Sequence, residues 1–215
     1  MMKLLFIGNS HTYYNDLGAT VLKLLEAVGT RPHVTISTTG GKSLVYHTTK
    51  HDVLFNIRYG GYDVVIAQDQ ASSFDPASFR VGAEELKRLA EESGARFYLY
   101  MPWACRDDRK SQHVMTDAYL SFCRNHGCRF APVGEVFSRI LQHEQADALY
   151  REDGNHATPL GSYIAAVTIF YMLTGRKRMI SPRSIADPGI AAGFDEELCR
   201  RIHAEACRIV RLYNS

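Results

Sequence analysis

Ser10 closes the tripeptide Gly8-Asn9-Ser10 directly after the apolar run Leu4-Leu5-Phe6-Ile7. A hydroxyl at the point where a strand gives way to a helix projects from a sheet rim with backbone N–H groups beside it, which is a nucleophile's position. Serine attacks a carbonyl well only when a base takes its proton, and the base works best when a carboxylate fixes its tautomer. Asp153-Gly154-Asn155-His156 offers that pair in one polar loop, with the carboxylate able to fold back to Nδ1 while Nε2 faces outward towards Ser10. Acyl transfer also needs donors aimed at the developing oxyanion, each worth roughly 3–4 kcal/mol. The candidates are the Ser10 backbone N–H, a glycine N–H from Gly40-Gly41, and a side-chain amide from Gln68 or Gln70.

Other reactive residue types carry less. His11 is either a second imidazole of the same site or a hydrogen-bonded structural residue. Tyr13, Tyr14, Tyr46 and Trp103 are candidates to line a cleft, since flat rings stack on sugar faces. His47 and His51 are spaced to share a helix face, but no third ligand completes a metal site, so both are expected to be exposed or capping. Cys105 has no histidine placed beside it by any motif and is read as packing. The basic run Arg176-Lys177-Arg178 follows a helix end, where a solvated surface is expected.

The elements that must position these residues alternate. Strands are expected at 3–7, 33–37, 62–67, 96–101 and 128–131. Between them, helical patterns run through Val21 to Val28, 47–59, 76–93 (with Val81, Leu86 and Leu89 inward), 111–126 and 133–143. Thr158 and Pro159 open a further helix that Gly175 stops, and its apolar part, Tyr163 to Leu173, is read as buried rather than membrane-spanning. Residues 176–193 read as an irregular connection and 195–213 as a terminal helix. Such alternation implies an α/β fold, a three-layer α/β/α sandwich on a parallel, flavodoxin-like sheet of about five strands. Functional loops then gather beyond the carboxyl ends of the strands, which puts Ser10, Gly41, Gln68 and the segment after Met101 on one rim.

The chain of 215 residues is long enough for one core and is read as a single domain, 1–215, with 176–215 packed on it. Its 46% hydrophobic and 22% charged residues fit a globular protein rather than a disordered one. Lys plus Arg number 25 against 23 Asp plus Glu, with no long basic stripe, so nucleic acid is not expected as a partner. No membrane span is expected either, and the apolar start is too short for a signal peptide, which points to a cytoplasmic protein unless a leader has been removed. The five cysteines are odd in number and lack a CxxC pair, so reduced, mostly buried thiols are expected.

Four blocks, Gly8-Asn9-Ser10, Gly40-Gly41-Lys42-Ser43, Gln68-Asp69-Gln70 and Asp153-x-x-His156, occur in the order of the SGNH (GDSL-like) hydrolases, which the chain resembles over residues 3 to about 174. The resemblance implies hydrolysis of acyl esters, often of O-acetylated carbohydrates, without metal or organic cofactor. It makes Ser10 the nucleophile, Asp153 and His156 the rest of a triad, and the Ser10 and Gly41 N–H groups oxyanion donors. The third block departs from the family's Gly-x-Asn-Asp and is more similar to the sialate and acetylxylan acetylesterase branch. Gln68 is therefore expected as third donor, with Gln70 second. His11-Thr12-Tyr13 stands where Asp or Phe commonly follows the serine. With Trp103-Ala104 it makes the chain resemble a bacterial branch of the family.

The expectation is a serine esterase acting on a short-chain acyl ester, acetyl first, of a small molecule or carbohydrate, with His11, Tyr13 and Trp103 lining the cleft. A thioesterase or lysophospholipase-type hydrolase would use the same triad, and a catalytically silent carbohydrate-binding module would keep the fold alone. A nucleotide-binding protein is disfavoured because no glycine-rich phosphate cradle follows the first strand.

Overall fold

The computed structural model describes residues 2–215. Strands β1 (Met2–Gly8), β2 (Pro32–Thr38), β3 (Val64–Gln68), β4 (Arg96–Met101) and β5 (Arg129–Pro132) form one parallel sheet in the order β2-β1-β3-β4-β5. Strand side chains alternate between two apolar clusters because successive Cβ atoms point to opposite faces. Leu4, Phe6, Val64, Ile66 and Tyr100 face one layer, and Leu5, Ile7, Val65, Ala67 and Leu99 face the other. Both faces being covered explains the continuous apolar runs of β1 and β3.

Parallel neighbours require crossovers, which the helices supply. The first layer holds α2 (Leu17–Glu26), α7 (Val133–Ile140), α9 (Pro159–Thr174) and α11 (Glu196–Tyr213), and the second holds α3 (Leu44–His47), α4 (His51–Tyr59), α5 (Pro76–Glu92) and α6 (Gln112–His126). Three further single-turn helices, α1 (Ser10–Tyr13), α8 (Ala146–Leu149) and α10 (Pro188–Ala191), complete the set of α-helices among the described residues. Thr158 caps α9 by accepting from the Gly161 N–H at 3.2 Å, Pro159 takes its first position, and Gly175 ends it. Every residue of α9 from Gly161 to Met172 is buried. Among the described residues no helix is long and apolar enough to cross a membrane.

The differences from the sequence reading are local. α1 starts at Ser10 itself, because Asn9 supplies a cap. The helix expected over 47–59 begins only at His51, as α4, and His47 instead ends the separate turn α3, with residues 48–50 between them. Val81 on α5 is 55% exposed, while Phe79, Ala83, Leu86 and Ala90 point inward. At about 100° per residue a side chain two positions from Phe79 lies on the opposite face. The sheet order changes direction between β1 and β3, so the loops after these strands flank a crevice at the switch point.

Candidate active site

The turn carrying Ser10 is fixed from three sides. The Asn9 side chain accepts from the His11 N–H at 3.1 Å and donates to the Lys42 carbonyl at 3.0 Å, tying the turn to the glycine loop after β2. The Asn9 N–H and the Thr12 hydroxyl both donate to Gln68 Oε1, at 3.0 and 2.8 Å. Gly8 makes this possible, since a Cβ there would stand 2.5 Å from Thr12 Oγ1 and 2.6 Å from Gln68 Oε1.

The loop from Tyr150 to Ala157 brings the carboxylate and imidazole to that turn. His156 Nε2 lies 2.8 Å from Ser10 Oγ, and its Nδ1 lies 2.5 Å from Asp153 Oδ2. Asp153 Oδ1 accepts from the Asn155 and His156 N–H groups at 2.9 Å each. Partial burial opposes ionisation of Asp153, but the His156 ring and these two amides together hold its pKa down at about 2. An anion on the Nδ1 side fixes the tautomer that leaves Nε2 free to take the serine's proton.

Neighbours pin the loop. The Arg106 N–H donates to the Gly154 carbonyl at 2.7 Å, Trp103 Nε1 to the Asn155 carbonyl at 2.9 Å, and Asn15 Nδ2 to the Ala157 carbonyl at 2.9 Å and Ser162 Oγ at 2.8 Å. Asn15 and Asp16 reach these positions with φ of 53°, a left-handed conformation that Asn and Asp tolerate better than most residues.

Ser10 and His156 open into a cleft of about 250 Å³ whose wall includes His11, Tyr13, Tyr14, Gly41 and Gln70. Gly41 has φ of 67° and open space around it, so its backbone stays approachable. Among the described residues neither the Ser10 nor the Gly41 N–H is taken by a protein acceptor. The Tyr14 ring lies 4.5 Å from that of His156. A more open groove of about 880 Å³, lined by Arg106, Tyr150, Arg151 and Thr158, meets the same loop at Asp153.

Solved structures share this architecture. A DUF4886 family protein from Bacteroides uniformis superposes with a TM-score of 0.79 at 19% identity, covering 100% of this chain and 96% of its own. A candidate SGNH hydrolase from Slackia heliotrinireducens gives 0.67 at 24% identity, covering 79% and 97%. The chain has the fold of the SGNH hydrolases. An acetylxylan esterase from Geobacillus stearothermophilus also aligns, with a TM-score of 0.64 at 15% identity over 79% of this chain and 92% of its own. No protein-family model matches the chain, and no curated protein matches it in sequence.

On this SGNH fold several expected positions take other places. Gln68, expected as third oxyanion donor, is 1% exposed, and its amide is spent on the Ser10 turn and on the Asp69 carbonyl. It supports the Ser10 turn from below, whereas Gln70 lines the cleft with Nε2 donating to the Ser73 carbonyl at 3.0 Å. Asp69 turns its carboxylate away from the cleft, accepting from the Leu44 N–H at 2.9 Å and the Gln70 N–H at 2.8 Å. Burial raises its pKa to about 6, against these hydrogen bonds.

Trp103 is 1% exposed and does not line the cleft. It stacks on Phe137 at 4.9 Å and supports the Asn155 carbonyl, because the loop position read from sequence is covered by the 150–157 segment. His11 does line the cleft but is 5% exposed, with rings of Trp103 at 4.7 Å and His156 at 5.6 Å. Burial and the neighbouring His156 press its pKa down to about 3, so it stays a neutral imidazole. His47 is fully buried rather than exposed or capping, while His51 is exposed. Tyr46 lies under Lys42 and Lys50, outside the cleft lining. Asn9 and Asn15 hold the site together although neither is a reactive residue type; the sequence marks them only by an Asn beside the serine and an Asn-Asp pair before a helix.

Proposed function

We propose that the protein is an SGNH-type serine hydrolase that cleaves short-chain acyl esters, with Ser10 as nucleophile, His156 as general base and acid, and Asp153 as the orienting carboxylate. The observation that carries this reading is the line Asp153–His156–Ser10, with separations of 2.5 and 2.8 Å, opening into a cleft. Ser10 Oγ attacks the acyl carbonyl as its proton passes to His156 Nε2. The oxyanion is met by the Ser10 and Gly41 N–H groups, and by the Gln70 amide, whose Nε2 carries a second hydrogen beside the one given to Ser73. Collapse breaks the ester bond while His156 protonates the departing alkoxide. Water then attacks the acyl-enzyme with the same imidazole as base, releasing the acid and restoring Ser10.

The cleft of about 250 Å³ favours an acetyl or similarly short group, and the acetylxylan esterase among the structural neighbours acts on such an ester. Treating the protein with a fluorophosphonate probe and locating the label tests the nucleophile. Modification at Ser10, with loss of acetyl-ester turnover by roughly 10³-fold or more in Ser10→Ala, is expected. An unlabelled, well-folded protein whose activity survives Ser10→Ala would overturn the assignment, and faster turnover of long-chain thioesters than of acetyl esters would overturn the substrate class.

A further inference from the structure

We propose that the end of the molecule opposite Ser10 carries a binding site for an anionic amphiphile, a molecule with one phosphate or carboxylate head and an apolar chain. This site is independent of the hydrolase reading. Ser10 follows the carboxyl end of β1, whereas Arg129 begins β5, so in a parallel sheet the two stand at opposite ends. Helix α9 spans that interval, starting three residues after His156 and ending at Thr174. At 1.5 Å per residue its 16 residues separate the ends by about 24 Å, too far for one small molecule to touch both.

Beyond the end of α9 lies a cavity of about 420 Å³ with Arg129, Arg176, Lys177 and Arg211 on its exposed rim. The buried side chains of Tyr171, Met172 and Val210 form its floor. Among the described residues none of the four cations is ion-paired, although arginines elsewhere on α11 are, with Arg200 held by Glu197 and Arg208 by Glu205. The sequence explains the difference. No acidic residue occurs between Asp153 and Asp187, and Arg211 has Cys207 and Arg208 one turn before it and Asn214 after it. The cations are also held together, since Arg211 Nη1 donates to the Lys177 carbonyl at 3.5 Å and Cys207 Sγ to the Arg176 carbonyl at 3.8 Å.

Helix ends offer a simpler account of clustered cations, because α9 and α11 both terminate here. Each terminus presents only about half a negative charge, and the carboxylate of Ser215 in the cavity lining adds one more, so together they offset about two of the four. The remaining charge calls for an anion. A volume within the roughly 300–1,000 Å³ of small-ligand sites, above an apolar floor, calls for more than an inorganic ion.

Calorimetric titration of the full chain with dodecyl phosphate, inorganic phosphate and octyl glucoside tests this. Saturable binding of one dodecyl phosphate is expected, weakened at least about tenfold in Arg129→Ala/Arg211→Ala and in Arg176→Ala/Lys177→Ala, as loss of charge-assisted contacts requires. These side chains are exposed, so the variants keep the fold, and Ser10→Ala leaves the affinity unchanged. Binding that is absent, or indifferent to both double variants, overturns the site. Inorganic phosphate binding as tightly overturns the apolar half of the proposal, and octyl glucoside binding as tightly overturns the anionic half.

Discussion

At the scale of single residues, two glutamines two positions apart divide the work of the third block. Gln68 is the last residue of β3, where its side chain meets the Asn9 N–H and the Thr12 hydroxyl; Gln70 has left the strand and faces the cleft. Gln70→Ala is therefore expected to lower kcat about 10²–10³-fold with little change in KM, as loss of an oxyanion donor does. Gln68→Ala is expected to destabilise the Ser10 turn, so that kcat and the unfolding midpoint fall together, and steady-state kinetics beside urea denaturation separates the two. A second residue-scale test concerns Asp69. With a folded pKa near 6 against an ordinary 3.8, the stability linked to its protonation is complete below pH 4 and lost as pH rises through 6. About two pKa units correspond to roughly 3 kcal/mol. Asp69→Asn keeps an acceptor for the Leu44 and Gln70 amides, so the variant should lack this decline; identical pH slopes from pH 4 to 7 in urea titrations would refute it. The separation of Asp153 and His156 within one loop and the position of Ser10 after β1 were legible because both follow from local spacing. Which glutamine turns inward, and that His47 and Trp103 are buried, depends on what packs over them from distant segments.

At the scale of elements, hydrophobic periodicity located all five strands and the long helices, since apolar runs bounded by glycine or proline punctuate the chain. The single-turn α1 escaped because its cap is Asn9 and its first residue Ser10, directly after the strand, and no apolar repeat marks four residues. The connection after α9 reads as irregular, yet it is held by a buried polar chain. The Ile180 N–H donates to Tyr171 Oη at 3.0 Å, which meets His203 Nδ1 at 3.1 Å, while His203 Nε2 meets Asp187 Oδ2 at 3.0 Å. Asp187 Oδ1 accepts from Tyr163 Oη at 2.7 Å and the Gly189 N–H at 2.8 Å. Burial opposes the charge on Asp187, but these donors hold its pKa below the ordinary value. Asp187→Ala leaves the His203 and Tyr163 donors buried without an acceptor and is expected to cost about 3–5 kcal/mol. Faster hydrogen exchange at Ile180 and Gly189, with fluorophosphonate labelling of Ser10 unchanged, would locate the loss in the connection. Unaltered stability would show that the network holds nothing.

At the scale of the whole molecule, α9 sets what the last forty residues must do. A helix buried on all its faces needs neighbours all round, and α2, α7 and α11 supply them. Helix α11 lays Ile202, Ala206, Ile209 and Val210 against this layer and reaches β5 through Asn214, which exchanges hydrogen bonds with the Phe130 backbone at 3.0 and 2.9 Å. His156 stands three residues ahead of α9, so the imidazole's position is inherited from how that helix is seated. Removing residues 195–215 would bare one face of α9. With three large aliphatic side chains at about 1.5–3 kcal/mol each, and a comparable loss on the facing surface, the deficit is roughly 9–18 kcal/mol, as large as the 5–15 kcal/mol that stabilises a typical domain. The truncated chain is expected to lose its near-ultraviolet circular dichroism, bind a hydrophobic dye and fail to react with a fluorophosphonate. A truncated chain that keeps the near-ultraviolet signal and still labels at Ser10 would show instead that α9 is held by α2 and α7 alone and that α11 is an appendage.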